Sequence, residues 1–380
     1  MVWDLAVVGA GPAGATAALA AMRANPEAHV LLLDRAEFPR DKACGDGIAV
    51  HVADQLHALG APQVLAGAPP VTGLRLTTPG GITAAGRPRR ANHVVPRAEF
   101  DARLVAAAVD AGAQLRTAKV RTLTSDGARV VLDDRHSARV VVAADGANST
   151  VRRLLGLPAN QGAHLGIAVR GYAPGDPAAV EQRIDMVADG WPAYAWDFPT
   201  GTGLRNVGVG VARDRLRGGK TALHQRLLTL YPEVDAASLR AHHLPFSSSR
   251  PQPAHGRVLL AGDAASLINP LSGEGIYYAV VSGRLAGEAA IRRPDTAGAA
   301  YRRALQAMLG RHFAHTTTLA RVIRHRPLVE AAVTVAAKRR AAYDELVEIA
   351  LGQGLLHVGT LAQVLAAYRP ERRWERIRAR

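Results

Sequence analysis

Apolar positions fall into three successive textures along the chain, and each predicts a different kind of element. Residues 4–8 and 30–33 are short apolar runs that read as buried strands, and residues 15–23 between them are good helix formers. Residues 94–112 predict an extended lead-in and then a helix from about Arg97, with Phe100, Leu104 and Ala108 along one face. Strand-like runs follow at 119–123, 129–132 and 138–144, the last two joined by the polar turn 133–137 in the manner of a hairpin. Ser149 is placed to cap a short helix through Leu155. The second texture alternates apolar and polar residues over 69–92 and about 157–250, as in 182–187 and 206–211, and predicts an antiparallel sheet. A helix over 220–231 interrupts it, and Pro232 stops that helix. After Ala286 the pattern is helical, punctuated near Pro294, Pro327, Gly352 and Pro370.

Two glycine-bearing segments far apart in the chain carry the candidate chemistry. Gly9-x-Gly11-x-x-Gly14 follows the first strand directly. Gly9 makes the turn, Gly11 admits a pyrophosphate, Gly14 lets the helix pack closely, and the helix N-terminus offers free amides and partial positive charge. Asp34 ends the second strand about 20 residues later, where a carboxylate takes both hydroxyls of an adenosine ribose. By itself this unit suits NAD as well as FAD. The late segment favours FAD: the strand-like run 258–261 ends in Gly262-Asp263, and a loop leads through Pro270, Gly273 and Gly275 into a helix. A carboxylate there accepts hydrogen bonds from ribityl hydroxyls, while glycines let backbone amides approach a flavin ring. Together the two segments predict one cofactor site in a flavoenzyme.

The order of textures predicts an α/β fold, α+β overall. A Rossmann-like FAD-binding domain is assembled from residues 1–68, 93–156 and 251–290. An antiparallel β-sheet substrate domain from 69–92 and 157–250 is interleaved with it, and a C-terminal helical region, 291–380, follows. Neither a fixed-period repeat nor a low-complexity linker separates them. With 380 residues, 48% of them hydrophobic, the chain has material for sizeable cores. No secretory leader and no apolar run of about 18 residues is read, and a lone cysteine cannot form an internal disulfide, so a cytoplasmic location is expected. A formal net charge of +15 invites a nucleic-acid reading, but only Lys42, Lys119, Lys220 and Lys338 are lysines. The excess is scattered arginine in an alanine-rich chain without interleaved aromatics, so no nucleic-acid partner is expected. The basic stretch 369–380, with Trp374, offers at most weak attraction to an anionic membrane surface.

Five segments resemble the geranylgeranyl reductase family, within the larger class of flavoproteins that share the p-hydroxybenzoate hydroxylase fold. They are Gly-Ala-Gly-Pro-Ala-Gly at 9–14, Lys42-x-Cys44-Gly45-Asp46-Gly47, Asp145-Gly146, Gly262-Asp263 with Asn269-Pro-Leu-Ser-Gly-Glu-Gly-Ile276 behind it, and Tyr194-Ala-Trp196-Asp197-Phe198-Pro199 ahead of Asn206-Val-Gly-Val-Gly210. The resemblance covers roughly residues 1–290. It implies Gly9, Gly11 and Gly14 at the pyrophosphate, Asp34 at the ribose, Arg97 near the phosphates and Val120 at the adenine side. It further implies Cys44, Gly45 and Gly47 along FAD, with Asp263, Gly275 and Ile276 near the ribityl chain and isoalloxazine. Ala13, Arg35, Asp145, Pro270 and Gly273 complete the expected cofactor-binding set. The helix starting near Gly275 would aim its positive end at the flavin and favour the anionic reduced form.

The activity this implies is hydride transfer from reduced flavin to a carbon–carbon double bond of an isoprenoid or related apolar, conjugated molecule. Cys44, Tyr194 and Asp197 are the candidate pocket acids, with Lys42 placed to lower the Cys44 pKa. Tyr194, Trp196 and Phe198 alternate along a strand and so share one face, either as sheet core or as the wall of a substrate cavity. Recharging needs NAD(P)H or a protein electron donor, and no second nucleotide fingerprint is present. The rival reading is a flavin-dependent monooxygenase or halogenase, with a flavin oxidase as a third. Ser266 and Gly273-Glu274-Gly275-Ile276 depart from the hydroxylase pattern, and Tyr194 to Pro199 only partly matches the halogenase one. The histidine pairs His242-His243 and His312-x-x-His315 lack partners at metal-ligand spacing.

Overall fold

The computed structural model describes residues 1–368, so the basic stretch 369–380 lies outside the described residues. One eight-stranded sheet has the order Ala254–His255, Val258–Leu260, His136–Ala143, Val2–Val8, Val30–Asp34 and Gln114–Thr117, extended by Val130–Leu132 and Leu123–Ser125. From Val258–Leu260 to Gln114–Thr117 its neighbours are parallel, and near-continuous apolar runs suit strands covered on both faces. The strand expected at 119–123 begins only at Leu123. The Asp133 carboxylate takes the backbone N–H groups of Arg121 and Thr122, both at 2.8 Å, and diverts them from the ladder.

The second sheet has seven strands, in the order Arg240–Pro245, Leu165–Pro174, Leu204–Ala212, Ala193–Pro199, Glu181–Val187, Gly73–Thr77 and Thr83–Gly86. It is not wholly antiparallel. Gly73–Thr77 arrives on a separate, earlier excursion of the chain and pairs parallel with Glu181–Val187. A third, three-stranded sheet of Gly47–Ile48, Asn92–Val94 and Pro70–Val71 marks where the chain leaves and re-enters the first layer.

The C-terminal helices serve both layers. Ala297–Val322 buries Tyr301, Leu305, Leu309 and Phe313 in the core of the parallel sheet. Arg326–Lys338 and Arg340–Leu351 bring Val333, Ala336 and Tyr343 against Ala84 of the seven-stranded sheet. The Tyr343 hydroxyl donates to the backbone oxygens of Leu74 and Gly86, at 2.8 and 3.0 Å. Among the described residues no helix is long and apolar enough to cross a membrane.

Helix Pro12–Ala24 is buried over almost its whole circumference, as its alanine-rich, uncharged first three turns require. It lies directly on Ile276–Arg292. A Cβ at Gly283 or Gly287 would overlap the backbone oxygens of Ala13 or Ala17, so the two backbones touch where glycine faces the N-terminal helix. Valine at position 287 would relieve less than about 1 kcal/mol of glycine's helix penalty while driving two methyls into a fixed carbonyl. Gly287→Val should therefore lower unfolding stability by at least about 2 kcal/mol, read from the denaturant midpoint. An unchanged midpoint would show that the helices are free to separate.

Candidate active site

Gly11 stands at the N-cap of helix Pro12–Ala24 with no side-chain cap, so the first amides of the helix are open. Arg97 and Arg40 flank this end. A Cβ on Gly11 would sit 3.6 Å from Arg40 Nη2 and 4.0 Å from Arg97 Nη2. Asp101 holds both cations: Arg97 binds it bidentately at 2.6 and 2.7 Å, and Arg40 at 3.2 Å. Arg97 and Asp101 are almost wholly buried, and such a pair survives only because its lone pairs and protons are matched. Asp34 Oδ2 accepts the Ala10 N–H at 2.8 Å and Oδ1 that of Ala36 at 3.0 Å, locking the glycine turn to the end of the second strand. The Ala118 N–H donates to the Asp34 backbone oxygen, which sets the Val120 segment beside the same strand end. Arg35 is exposed there.

The late loop reaches the same cleft from the other side. Asp263 follows strand Val258–Leu260 and is flanked by Lys42 Nζ at 3.4 Å and His242 Nε2 at 3.7 Å. Burial pushes this carboxyl up, but Lys42, His242 and Arg97 outweigh it and hold Asp263 ionised, well below the usual carboxylate range. Burial, reinforced by Lys42, pushes the His242 imidazole down, toward its neutral form. Helix Ile276–Arg292 then starts at Gly275, and Glu274 Oε1 accepts the Tyr277 N–H of its first turn at 2.8 Å. Ser272 Oγ donates to Ala350 O at 2.6 Å and Asn269 Nδ2 to Ile349 O at 2.8 Å, which bolts this loop to the end of helix Arg340–Leu351.

The loop carrying Cys44 is fixed by a network absent from the motif reading. Trp196 Nε1 donates to Asn206 Oδ1 at 2.8 Å, and Asn206 Nδ2 donates to Cys44 O at 2.8 Å and Asp46 Oδ2 at 2.7 Å. Tyr172 OH donates to the same carboxylate oxygen. Cys44 does not face Lys42, which is committed to Asp263. Its neighbouring cation is Arg97, and burial nevertheless pushes the thiol up, leaving it protonated.

Between these segments lies a cleft of about 210 Å³, open to solvent at its mouth. The structure brings Gly11, Ala13, Cys44, Gly45, Gly47, Arg97, Asp263, Gly273, Gly275 and Ile276 to its wall, facing Tyr194, Trp196 and Phe198. Trp196 and Tyr194 lie opposite Gly208 and Gly210 on the neighbouring strand, and the Trp196 ring occupies the space a Cβ of Gly208 would fill. Gly9, Gly14, Asp34, Arg35, Val120, Asp145, Asp197 and Pro270 are not part of this wall. Asp145 caps helix Thr150–Leu154, accepting from Ser149 Oγ and the Thr150 and Val151 amides. Asp197 is ion-paired with Arg205 at 2.5 Å.

Sequence reasoning missed Asp101, Arg170, His242 and Glu274. Arg170 is fully buried between Asp41 and the Ser238 carbonyl yet reaches the cleft. His242 was half visible in its doublet, which pointed toward metals instead of toward Asp263. Glu274 sits inside the recognised Gly-Glu-Gly-Ile segment.

Open amides and two guanidiniums at one end, and a fixed carboxylate with a second helix N-terminus at the other, match the diphosphate and polyol parts of FAD. Residues 3–170 match the family described as FAD binding domain. The chain is 36% identical to the menaquinone reductase of Mycolicibacterium smegmatis over 75% of each chain. It is 33% identical to digeranylgeranylglycerophospholipid reductase 2 of Methanopyrus kandleri, over 80% of this chain and 81% of that one. A geranylgeranyl bacteriochlorophyll reductase-like structure from Thermoplasma acidophilum shares the fold with a TM-score of 0.79 over 97% of each chain, at 20% identity. Fold and site thus define a FAD-dependent oxidoreductase. Within that class the chain belongs to the geranylgeranyl reductase family.

Asp46 supplies a test of the network. Burial, opposed by Tyr172, Arg170 and Asn206, raises its carboxyl from 3.8 to about 6, which corresponds to about 3 kcal/mol of linkage. The folded value lies above the unfolded one, so the stability from holding this proton is full below about pH 4 and is lost as pH rises through about 6. Asp46→Asn should remove that slope. The wild-type minus variant unfolding free energy should fall between pH 4 and 7, and a flat difference would mean that Asp46 titrates as it does in the unfolded chain.

Proposed function

We propose that the protein reduces a carbon–carbon double bond of an isoprenoid, or of a related apolar and conjugated molecule, held in this cleft. The observation that carries the reading is the wall opposite the cofactor-binding segments: Tyr194, Trp196 and Phe198 beside Leu74, Ile184 and Leu244. Such a surface gains from burying an apolar chain at roughly 25 cal/mol per Å² and offers little to a small charged metabolite. The relatives' names point the same way, since menaquinones and digeranylgeranyl lipids both carry isoprenoid chains.

When bound, FAD supplies a two-electron carrier that in its reduced state donates hydride. Arg97, Arg40 and the amides after Gly11 would hold its diphosphate, Asp263 its hydroxyls, and the positive end of the helix starting at Gly275 would favour negative charge nearby. The aromatic wall positions the guest and excludes water. Cys44 and Tyr194 stay protonated because burial pushes both up, so each serves the pocket as a neutral group. Asp197, committed to Arg205 outside the wall, is the weakest of the three candidate acids. The reductant is NAD(P)H or a protein electron donor.

The oxygenase and halogenase alternatives require oxygen. Among the described wall residues the single lysine, Lys42, is tied to Asp263 and is not free to serve as a halogenating group. Enzyme reduced and kept anaerobic, mixed with a polyprenyl quinone or an unsaturated geranylgeranyl lipid, should reoxidise its flavin and give a product whose isoprenoid chain fragments carry two more hydrogens by tandem mass spectrometry, which separates chain saturation from quinol formation. Reoxidation that waits for oxygen and yields hydroxylated or halogenated product would overturn the reading.

A further inference from the structure

Glu274 is the one carboxyl in the cleft wall with no cationic partner at hydrogen-bonding distance among the described residues. Its placement follows from the loop: Asn269 N–H donates to the Glu274 backbone oxygen at 2.8 Å, and Ser272 Oγ accepts the Glu274 N–H at 3.2 Å. The side chain turns back over the helix start, where Oε1 accepts the Tyr277 N–H at 2.8 Å. Next to it in sequence, the space a Cβ of Gly273 would fill is taken by Tyr194 Oη, which sets the aromatic wall against this loop.

We infer that Glu274 is the catalytic acid of the cleft, delivering the proton that completes reduction of the guest's double bond. The inference rests on the reductase reading above. In the balanced step the π bond of the guest breaks and two C–H bonds form. One hydrogen comes as hydride from a reduced flavin, which is oxidised, and the other as the carboxyl proton of Glu274, which is left as carboxylate. Solvent then restores that proton.

The other cleft groups are poorly suited to this task. Asp263 is held as a carboxylate by Lys42, His242 and Arg97, and so has no proton to give. Burial pushes His242 toward its neutral form. The Cys44 thiol and the Tyr194 hydroxyl are both pushed up by burial, which makes loss of their protons unfavourable. Burial raises Glu274 as well, but only to about 7, because the amides of Tyr277, Ile276 and Gly275 and the nearby His51 stabilise its anion. An acid tuned close to the working pH combines an available proton with an affordable conjugate base.

The neighbouring element toward Glu274 is the helix that carries His51. His51, on helix Val50–Ala58, pairs with Glu348 at 3.1 Å, and Glu348 is half exposed. The titratable groups facing Glu274 are His51 from that helix, Glu348 of helix Arg340–Leu351 through His51, Tyr194 from the sheet, and Tyr277 and Tyr278 from its own helix.

Glu274→Gln preserves shape and an acceptor for the Tyr277 amide while removing the acid. In single-turnover mixing of reduced, anaerobic holoenzyme with the polyprenyl quinone or geranylgeranyl lipid, flavin reoxidation should slow about 100-fold to 10,000-fold. The wild-type rate should fall as pH rises through about 7, and the variant should lose that limb. FAD absorbance and affinity should stay unchanged.

A second readout needs no turnover. Infrared titration of oxidised holoenzyme, labelled with 13C at the glutamate side-chain carboxyl, should show a protonated glutamate disappearing with a midpoint near 7, and E274Q should lack it. The label separates this band from Asp46. Wild-type enzyme with no such glutamate, or E274Q turning over at the wild-type rate with its pH limb intact, overturns the assignment. If E274Q fails to hold FAD, the wild-type titration alone decides. Wild-type enzyme that reduces neither acceptor, yet shows the band, would sink the reductase reading and not the protonation of Glu274.

Discussion

Close contact between two helices from opposite ends of the fold holds the site together. Pro12–Ala24 and Ile276–Arg292 meet backbone to backbone because Gly283 and Gly287 present no side chain to Ala13 and Ala17. Both helices begin at a glycine that lines the same cleft, Gly11 on one and Gly275 on the other. Packing the helices together therefore brings two helix N-termini, and two partial positive charges, to bear on one cofactor. A larger residue at the crossing would move one away from the other, and neither segment alone spans a molecule the length of FAD.

Charge compensation maintains this arrangement. Arg97 and Arg40 at the Gly11 end are held by the fully buried Asp101, Lys42 pairs with Asp263 in the cleft wall, and the buried Arg170 pairs with Asp41. An unpaired guanidinium at these depths would cost several kcal/mol. Pairing leaves the cations in place without quenching their outward donors. Glu274 has no cationic partner at hydrogen-bonding distance among the described residues, so burial acts on it with less opposition.

Much of the fold was legible because its strands and helices carry strong local patterns. Residues 2–8, 12–24 and 30–34 declare themselves through apolar runs and a glycine turn, and alternation alone put Tyr194, Trp196 and Phe198 on one face. Partner choice was not legible. Nothing near Asp101 in sequence announces Arg40, and nothing near His242 announces Asp263, because these meetings depend on how the layers stack. The parallel pairing of Gly73–Thr77 with Glu181–Val187 was hidden for the same reason, since local pattern carries no direction for a strand arriving from a distant excursion. The C-terminal helices were recognisable as helices, but not as the source of Ala350 and Leu351 in the cleft wall.

The central claim is that the amino-terminal glycine turn and the late acidic loop grip one FAD together. Calorimetric titration of FAD into apoprotein, for wild type, Gly11→Val and Asp263→Asn, addresses it directly. One FAD per chain is predicted, with each substitution weakening affinity by about tenfold or more, since a lost charged hydrogen bond is worth about 1.5–3 kcal/mol. Full affinity retained in either variant would contradict the account, because one of the two segments would then be a bystander to the cofactor.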